Sequence, residues 1–561
     1  MVRSRLLAAT SAVLVAAFAL AGCASIPSSG PVQPGEPVVA EAPNDFDILA
    51  DPPAKGATQA EILDGFLNAA QSPRENYQIA REYLTDAFAD EWDPGAGATV
   101  DVLAERDVDV VDPTAMRVEA TPAALLLENG QYEEPASRAP IPFDYRFEQV
   151  DGEWRISSAP EGLLIDQVEF TQVFRDYTLY FLDPTGRYLV PDVRWYAGRD
   201  SAQTTIVQGL LAGAADWLAP GVLSAFPEGV QLEPAAVPVE GGVASVSLSG
   251  AAFDDLGTVQ HMQAQLDASL IGVRNITRVD LTLNGVDPDV PEPARRPSKS
   301  PRVDPRSVVF DGETFGYLAA SGESVDPIPG ISDSVEALVP TGASVGIGAE
   351  SAAVRSAEGV FLVRAGEETV PLDPRANLVV PAIDGQGVVW SVPADHPDQL
   401  VWFAPDGSTG QVAVPWSGSS IASIEVSRDS TRLLALLADG GRTRFVVAAI
   451  ERGEDGLPSE QGLGQLVLNL ADVTGTPLDV AWLDSSTVTS ITGLSDGASR
   501  LVIQELGGIS RERGGPEAAS QIEGGNSDLR VLTAAGDLDV QVGVGWQARA
   551  VGIRFVASQL P

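Results

Sequence analysis

Ile424-Glu425-Val426-Ser427-Arg428-Asp429-Ser430-Thr431-Arg432-Leu433-Leu434-Ala435-Leu436 is the stretch that decides how most of this chain folds. Two short apolar segments flank a polar turn, the pattern of neighbouring β-strands. The texture recurs on both sides. Glu358-Gly359 leads into Val360-Phe361-Leu362-Val363, and Asp384-Gly385 precedes Val388-Val389-Trp390. Val401-Trp402-Phe403 runs into Asp406-Gly407. Asp479 to Asp484 is followed by Thr487-Val488, and Asp496-Gly497 by Leu501-Val502-Ile503. Short strands at regular spacing with turn signals between them point to a β-propeller rather than a sandwich. At about 40–45 residues per blade, residues 307–561 hold five or six blades, and six is the expectation. Trp390, Trp402, Trp416, Trp482 and Trp546 fall at blade-like intervals. They are expected to pack between blades, with a minority free to line the central face and meet a partner.

Upstream, the pattern becomes mixed. In residues 170–290, Thr178 to Leu182 reads as a strand, Asp183-Pro184-Thr185-Gly186 as a turn and Tyr188 to Tyr196 as the returning strand. Ser201 is placed to cap a helix with Ile206, Val207, Leu210 and Leu211 inward and Gly213 at its end. Val243 to Leu248 alternates, a helix bearing Met262, Leu266 and Leu270 ends at Gly272, and Ile276 to Leu283 closes at Asn284-Gly285. In residues 58–165, Thr58-Gln59-Ala60-Glu61 is a capping box before Ile62, Leu63, Phe66 and Leu67. Ser72, Pro73 and Glu75 predict a second helix carrying Tyr77, Ala80, Tyr83 and Leu84. Phe143, Tyr145 and Phe147 alternate before an Asp151-Gly152 turn and Trp154 and Ile156. The expected architecture is therefore two α+β domains followed by a propeller. The first is a cone-shaped, nuclear-transport-factor-like unit whose aromatic residues read better as core than as a ligand site. Residues 291–306 form a linker with five prolines and with Arg295, Arg296, Lys299, Arg302 and Arg306, read as a solvated semi-rigid spacer. The sharper reading is a basic spot docked on an acidic surface of the propeller or of a partner.

The first 22 residues have the order of a secretory signal peptide: Arg3 and Arg5, an uncharged run from Leu6 to Leu20, then the small residues Ala21 and Gly22 before Cys23. Cys23 is the only cysteine, so neither disulfides nor cysteine–zinc sites are available. Residues 23–57 are proline-rich and read as a tether. Leu20-Ala21-Gly22-Cys23 resembles the lipobox of bacterial lipoproteins. The resemblance implies cleavage before Cys23 and a diacylglyceryl and an N-acyl group on it. More than one acyl chain is what stable anchoring needs. The protein would then sit on the extracytoplasmic face of the cell membrane, held by lipid alone.

The formal net charge of −43 argues against nucleic acid and against adsorption to anionic lipid. Catalytic and metal-binding candidates are absent: none is named. His261 and His396, the only histidines, fall in different domains and lie in no motif. No Gly-x-Ser-x-Gly elbow, His-Glu-x-x-His helix, P-loop or EF-hand loop occurs, and no cofactor is expected. Abundant carboxylates leave a paired-carboxylate hydrolase open on spacing alone. The adjacent pairs Glu133-Glu134 and Asp254-Asp255 read as solvated loop residues.

Ser427, Asp429 and the following Leu-rich strand resemble a blade of TolB-like propellers. Tyr180-Phe181, Val190-Pro191 with Arg194 and Trp195, Leu210-Leu211-Ala212-Gly213, Asp216-Trp217-Leu218 and Ala225-Phe226-Pro227-Glu228-Gly229 resemble GerMN domains. Cys23 to Val32, with Arg81-Glu82-Tyr83-Leu84, is similar to the LpqB lipoprotein family of actinobacteria. The order lipobox, α+β domain, GerMN domain and propeller matches that family over essentially the whole chain. It implies a regulatory accessory of the MtrA–MtrB two-component system in cell-envelope and division control, contacting the extracytoplasmic part of the sensor kinase MtrB. The alternatives are an envelope hydrolase, expected to show a cleft with converging carboxylates, and a small-ligand carrier, expected to show a dry pocket lined by Phe143, Tyr145 or Trp154.

Overall fold

Ser427 and Asp429 explain why the 424–436 stretch folds back on itself. In the computed structural model, the Ser427 hydroxyl donates to Asp429 Oδ1 (2.6 Å), which also accepts from the Thr431 N–H (3.1 Å) and hydroxyl (2.7 Å). A side chain that satisfies the backbone of its own turn lets the turn be buried. Arg432 closes the unit with an ion pair to Asp429. Its guanidinium carbon lies 5.0 Å from the centroid of the Trp482 ring of the next sheet. The turn thus joins Ser420–Val426 to Arg432–Asp439, and Arg442–Arg452 and Pro458–Val473 complete a four-stranded antiparallel sheet.

Six such sheets form the propeller. The sheet just described is blade 4. Blade 5 runs through Thr476–Trp482, Thr487–Gly493, Ser499–Glu505 and Arg511–Gly515, and blade 6 begins with Ala519–Gly525. The C-terminal strand Phe555–Gln559 is the inner strand of blade 1, pairing antiparallel with Val308–Phe310. It also touches the first strand of blade 2, Gly342–Val345, in parallel over two residues. The two ends of the domain are therefore fastened in one sheet. Trp390, Trp402 and Trp482 are buried between blades. Trp416 and Trp546 are half-buried and donate to Pro397 O and Gly514 O.

The structure describes residues 50–561 except 136, 199, 200, 527 and 544. Leu20, Ala21, Gly22, Cys23 and most of the tether lie outside the described residues. Among those described, no helix is long and apolar enough to cross a membrane.

The first domain packs the Gln59–Ala69 helix against a sheet ordered Asp107–Asp112, Ala115–Ala120, Ile141–Val150, Glu153–Ser158. Thr58 and Glu61 form the reciprocal capping box that the sequence predicts. The second predicted helix is a correction. Glu75, Asn76 and Tyr77 take φ of 47°, 56° and 60°, so the chain turns left-handed and only Gln78–Arg81 is helical. The reason is tertiary: Tyr77 sets its ring 6.0 Å from Trp92, which lies 5.2 Å from Phe66. Tyr77, Ala80, Tyr83 and Leu84 are all buried nonetheless.

In the second domain, the Phe174–Leu182 and Leu189–Ala197 strands pair over nine residues. Val243–Ser249 runs parallel to Arg278–Leu283, and the helices Ala202–Ala212 and Leu256–Leu270 cover them. Asp255 caps the latter helix by accepting from the Thr258 N–H (2.7 Å), so Asp255 is not merely a solvated loop residue.

The linker is solvent-exposed along most of its length, as a spacer would be, but it is pinned at both ends. Ser298 pairs with the second domain through Ser298 N–H to Arg187 O (2.8 Å) and Leu189 N–H to Ser298 O (2.9 Å). Further on, Val303 exchanges hydrogen bonds with the Asn526 side chain of blade 6. Backbone groups, rather than basic charges on an acidic face, hold it down. Arg296 and Arg306 pair with the linker's own Glu292 and Asp304.

Candidate functional site: the domain junction and the linker cleft

Trp195 stands where all three domains meet. It sits on the Leu189–Ala197 strand of the second domain. Its N–H donates to Gly130 O of the first domain (2.7 Å), and its indole Nε1–H donates to Gly507 O of blade 5 (2.8 Å). Its ring lies 5.8 Å from Tyr132 and 5.0 Å from Phe170, inside the first domain's core. Gly130 and Gly507 have φ of +83° and +76°, and a Cβ on either would approach a carbonyl of the Trp195 strand to 2.9 Å. Both positions demand glycine, for conformation and for closeness of approach. Arg194, buried against Asp192 (2.7 Å), adds a bond to Asn129 O (2.7 Å). The Ala219–Gly221 turn of the second domain seats on blade 4, where a Cβ at Gly221 would meet Thr431 O at 2.8 Å.

The junction changes the reading of Glu133-Glu134. Both are half-buried rather than solvated. Burial, with the charge of Asp472 on blade 4, pushes Glu134 up to about 7 against the opposing pull of Arg138 and the Ser510 hydroxyl. Two distant segments close over these carboxylates, which local sequence cannot show.

Carboxylates with raised pKa do converge, at the junctions between propeller blades, where Glu425 and Asp479 are half-buried. Glu425 is pushed up to about 8 by burial, with Asp479 and Glu523 adding to it. Burial takes Asp479 to about 6. Each is already engaged. Glu425 Oε2 accepts the Trp482 N–H (2.7 Å), and Asp479 accepts the Ser423 hydroxyl (2.6 Å) and the Ile522 N–H (3.0 Å). They tie blade 4 to 5, and 5 to both 4 and 6. His396 is exposed, 3.9 Å from Asp395, and His261 lies on the Leu256–Leu270 helix, so the structure does not bring the histidines together. No group of His, Cys, Asp and Glu suited to a metal occurs among the described residues.

Open space lies elsewhere than the sequence suggests. The cavity lined by Phe66, Phe143 and Tyr145 in the first domain measures about 10 Å³, room for at most one water. Tyr145 is fully packed, 6.3 Å from Phe66, which removes the ligand-carrier alternative at that position. A cleft of about 460 Å³ instead separates the Leu256–Leu270 helix from the linker. No motif marks it. The only hint in the sequence is the cluster of basic residues in the linker.

Three family models match in succession. Residues 52–171 match "Lipoprotein LpqB, N-terminal domain", residues 178–289 match "Sporulation and spore germination", and residues 316–553 match "Lipoprotein LpqB beta-propeller domain". The chain belongs to the LpqB lipoprotein family. Among relatives named Lipoprotein LpqB, that of Cutibacterium acnes (strain DSM 16379 / KPA171202) is 27% identical over 84% of both chains. That of Thermobifida fusca (strain YX) is 27% identical over 95% of this chain and 94% of the relative. That of Mycobacterium paratuberculosis is 28% identical over 86% and 88%. None of these LpqB names states a catalytic activity. A putative TolB from Agrobacterium tumefaciens overlays 40% of this chain and 84% of its own at 11% identity, with a TM-score of 0.29, too slight to bear on the fold.

Proposed function

We propose that this LpqB-family chain is a non-catalytic binding lipoprotein, anchored through acylated Cys23 on the extracytoplasmic face of the membrane. It presents its joined domains to the extracytoplasmic part of an MtrB-like sensor kinase and tunes MtrA–MtrB signalling. The single observation that carries the binding reading is the Trp195 junction, which fuses three domains into one surface on one tether. The carboxylates that would equip a hydrolase are spent on ties between blades. The kinase itself rests on the family resemblance. The test is capture: an affinity-tagged full-length chain, incubated with the purified extracytoplasmic segment of the kinase, retains it. Failure to retain it at micromolar concentrations of both would count against the partner. Cys23→Ser is expected to leave the membrane fraction, and its retention there would reveal a different anchor.

A further inference from the structure

The linker is the one stretch where this acidic chain concentrates positive charge, and the cleft lies under it. The cleft's volume, about 460 Å³, is within the range of small-ligand sites. Its walls are largely apolar: Leu189 and Ala264 from the domain, Val290, Pro293 and Pro297 from the chain that crosses it. The polar lining is Gln260, Gln263, Asp267, Glu292, Arg296 and Lys299; Arg296 is already paired with Glu292 (2.6 Å), which leaves Lys299, at the exposed rim, as the cation without a carboxylate. Lys299 is one of only two lysines in the protein, with Lys55. Its ammonium stands 4.3 Å over the Tyr180 ring and donates to Ala268 O (2.9 Å) near the end of the Leu256–Leu270 helix. The bond to Ala268 serves the helix end, and it uses one donor of three. No carboxylate pairs with Lys299 among the described residues, although the protein carries 78 acidic side chains. Asp267 lines the same cleft, held by the Gln263 amide (2.8 Å). Burial lifts its carboxyl above the ordinary value and lowers the Lys299 ammonium below its own.

We infer that this cleft receives the C-terminal end of a short apolar peptide. Lys299 takes the terminal carboxylate, Asp267 accepts the amide N–H behind it, and the apolar walls take the side chains. The ammonium supplies the charge complement that the rest of the surface denies to an anion. The aliphatic walls supply area removed from water. Both sides of the site come from elements held together where the linker is tied to the second domain at Pro291, Ser298 and Lys299, so a ligand there touches the segment that joins the second domain to the propeller. The inference is independent of the kinase.

The two lysines make the test direct. Trinitrobenzenesulfonate labels the amines of the full mature chain, and peptide mapping separates Lys299 from Lys55. The probes are N-acetyl-alanyl-alanine, its C-terminal amide, and octanoate. At about ten times its dissociation constant the dipeptide acid is expected to slow Lys299 labelling about tenfold, with Lys55 unchanged. The amide should protect far less. Equal protection by acid and amide would overturn the role of the carboxylate. Protection by octanoate alone would replace the peptide with a fatty acid, and no protection by any probe would overturn the site. By calorimetry, Lys299→Gln should weaken dipeptide binding at least about tenfold while Lys299→Arg retains most of it, since the interaction is charge-assisted. Undiminished binding to Lys299→Gln would also overturn the assignment.

Discussion

The cores of the first domain and of the propeller are built from different material. The first domain fills its core with rings: Trp92, Phe66, Tyr77 and Tyr145 meet edge to face within one apolar cluster. The propeller uses ionisable groups as well: the buried ion pairs Asp429 with Arg432 and Asp384 with Arg452, and the half-buried carboxyls of Glu425 and Asp479 between blades. The first domain has a single apolar cluster to fill. A ring of six similar sheets offers many apolar faces of nearly the same shape, and directional bonds distinguish one neighbour from another. Apolar packing supplies most of the stability in both. The polar ties in the propeller are better understood as fixing which blade meets which.

The largest expected effect breaks a tie. Asp429→Ala should leave Arg432 buried without its counter-ion and cost about 3–5 kcal/mol in denaturant unfolding. Replacing Asp429 and Arg432 together with apolar residues of similar volume should cost far less. If the single change cost no more than the double one, the buried ion pair would not be what holds the blade 4 turn.

Trp92→Ala tests the other half of the comparison and should cost about 3–4 kcal/mol, by opening a cavity in a core that now has none of useful size. The domain should then bind small apolar probes that the parent does not.

A smaller effect is read by pH, and the Glu425 variant isolates the propeller's share of it. Glu425 has an ordinary value of 4.5 and a folded value of about 8. The folded state therefore binds the proton more tightly than the unfolded chain. Its stabilisation is complete below the ordinary value and is lost as pH rises through the folded value. Asp479, at about 6, acts in the same direction over a lower window. Melting temperature should fall from about pH 5 to about pH 9. Glu425→Gln keeps an acceptor for Trp482 and should flatten the upper part of that slope, a gain on the order of a few kcal/mol at the alkaline end. An unchanged slope in Glu425→Gln would show that the carboxyl is not the titrating group.

The smallest effect is at the surface. Arg117 and Asp144 pair on the exposed face of the first domain at 2.7 Å, with side chains 41% and 62% exposed. Arg117→Ala should leave the melting temperature almost unchanged, and the small difference should shrink further in high salt.

Much of this was legible in order along the chain. The capping box at Thr58, the Asp151-Gly152 and Asn284-Gly285 turns, and the blade turn at Ser427 each carry their own chemistry, so short segments announce them. The helix expected over Ser72 to Leu84 failed because nothing local reveals that Tyr77 will be drawn to Trp92. Trp195 was visible as part of a family pattern, but its work, two hydrogen bonds into two other domains, depends on Gly130 and Gly507, residues far away in sequence. The cleft was invisible because it is a gap, and a gap is made by the elements on either side.

The sequence by itself determined the class of each domain, the repeat of the propeller and the absence of any recognisable catalytic motif. Those properties live in periodicity, turn residues and composition, which are local. Tertiary structure alone decided that Glu134 is half-buried at a junction, that the linker is pinned to both neighbours, and that a cleft opens beside Lys299 while the space beside Tyr145 is filled. Burial, close approach and empty volume are properties of pairs of surfaces, and no single stretch of chain contains both.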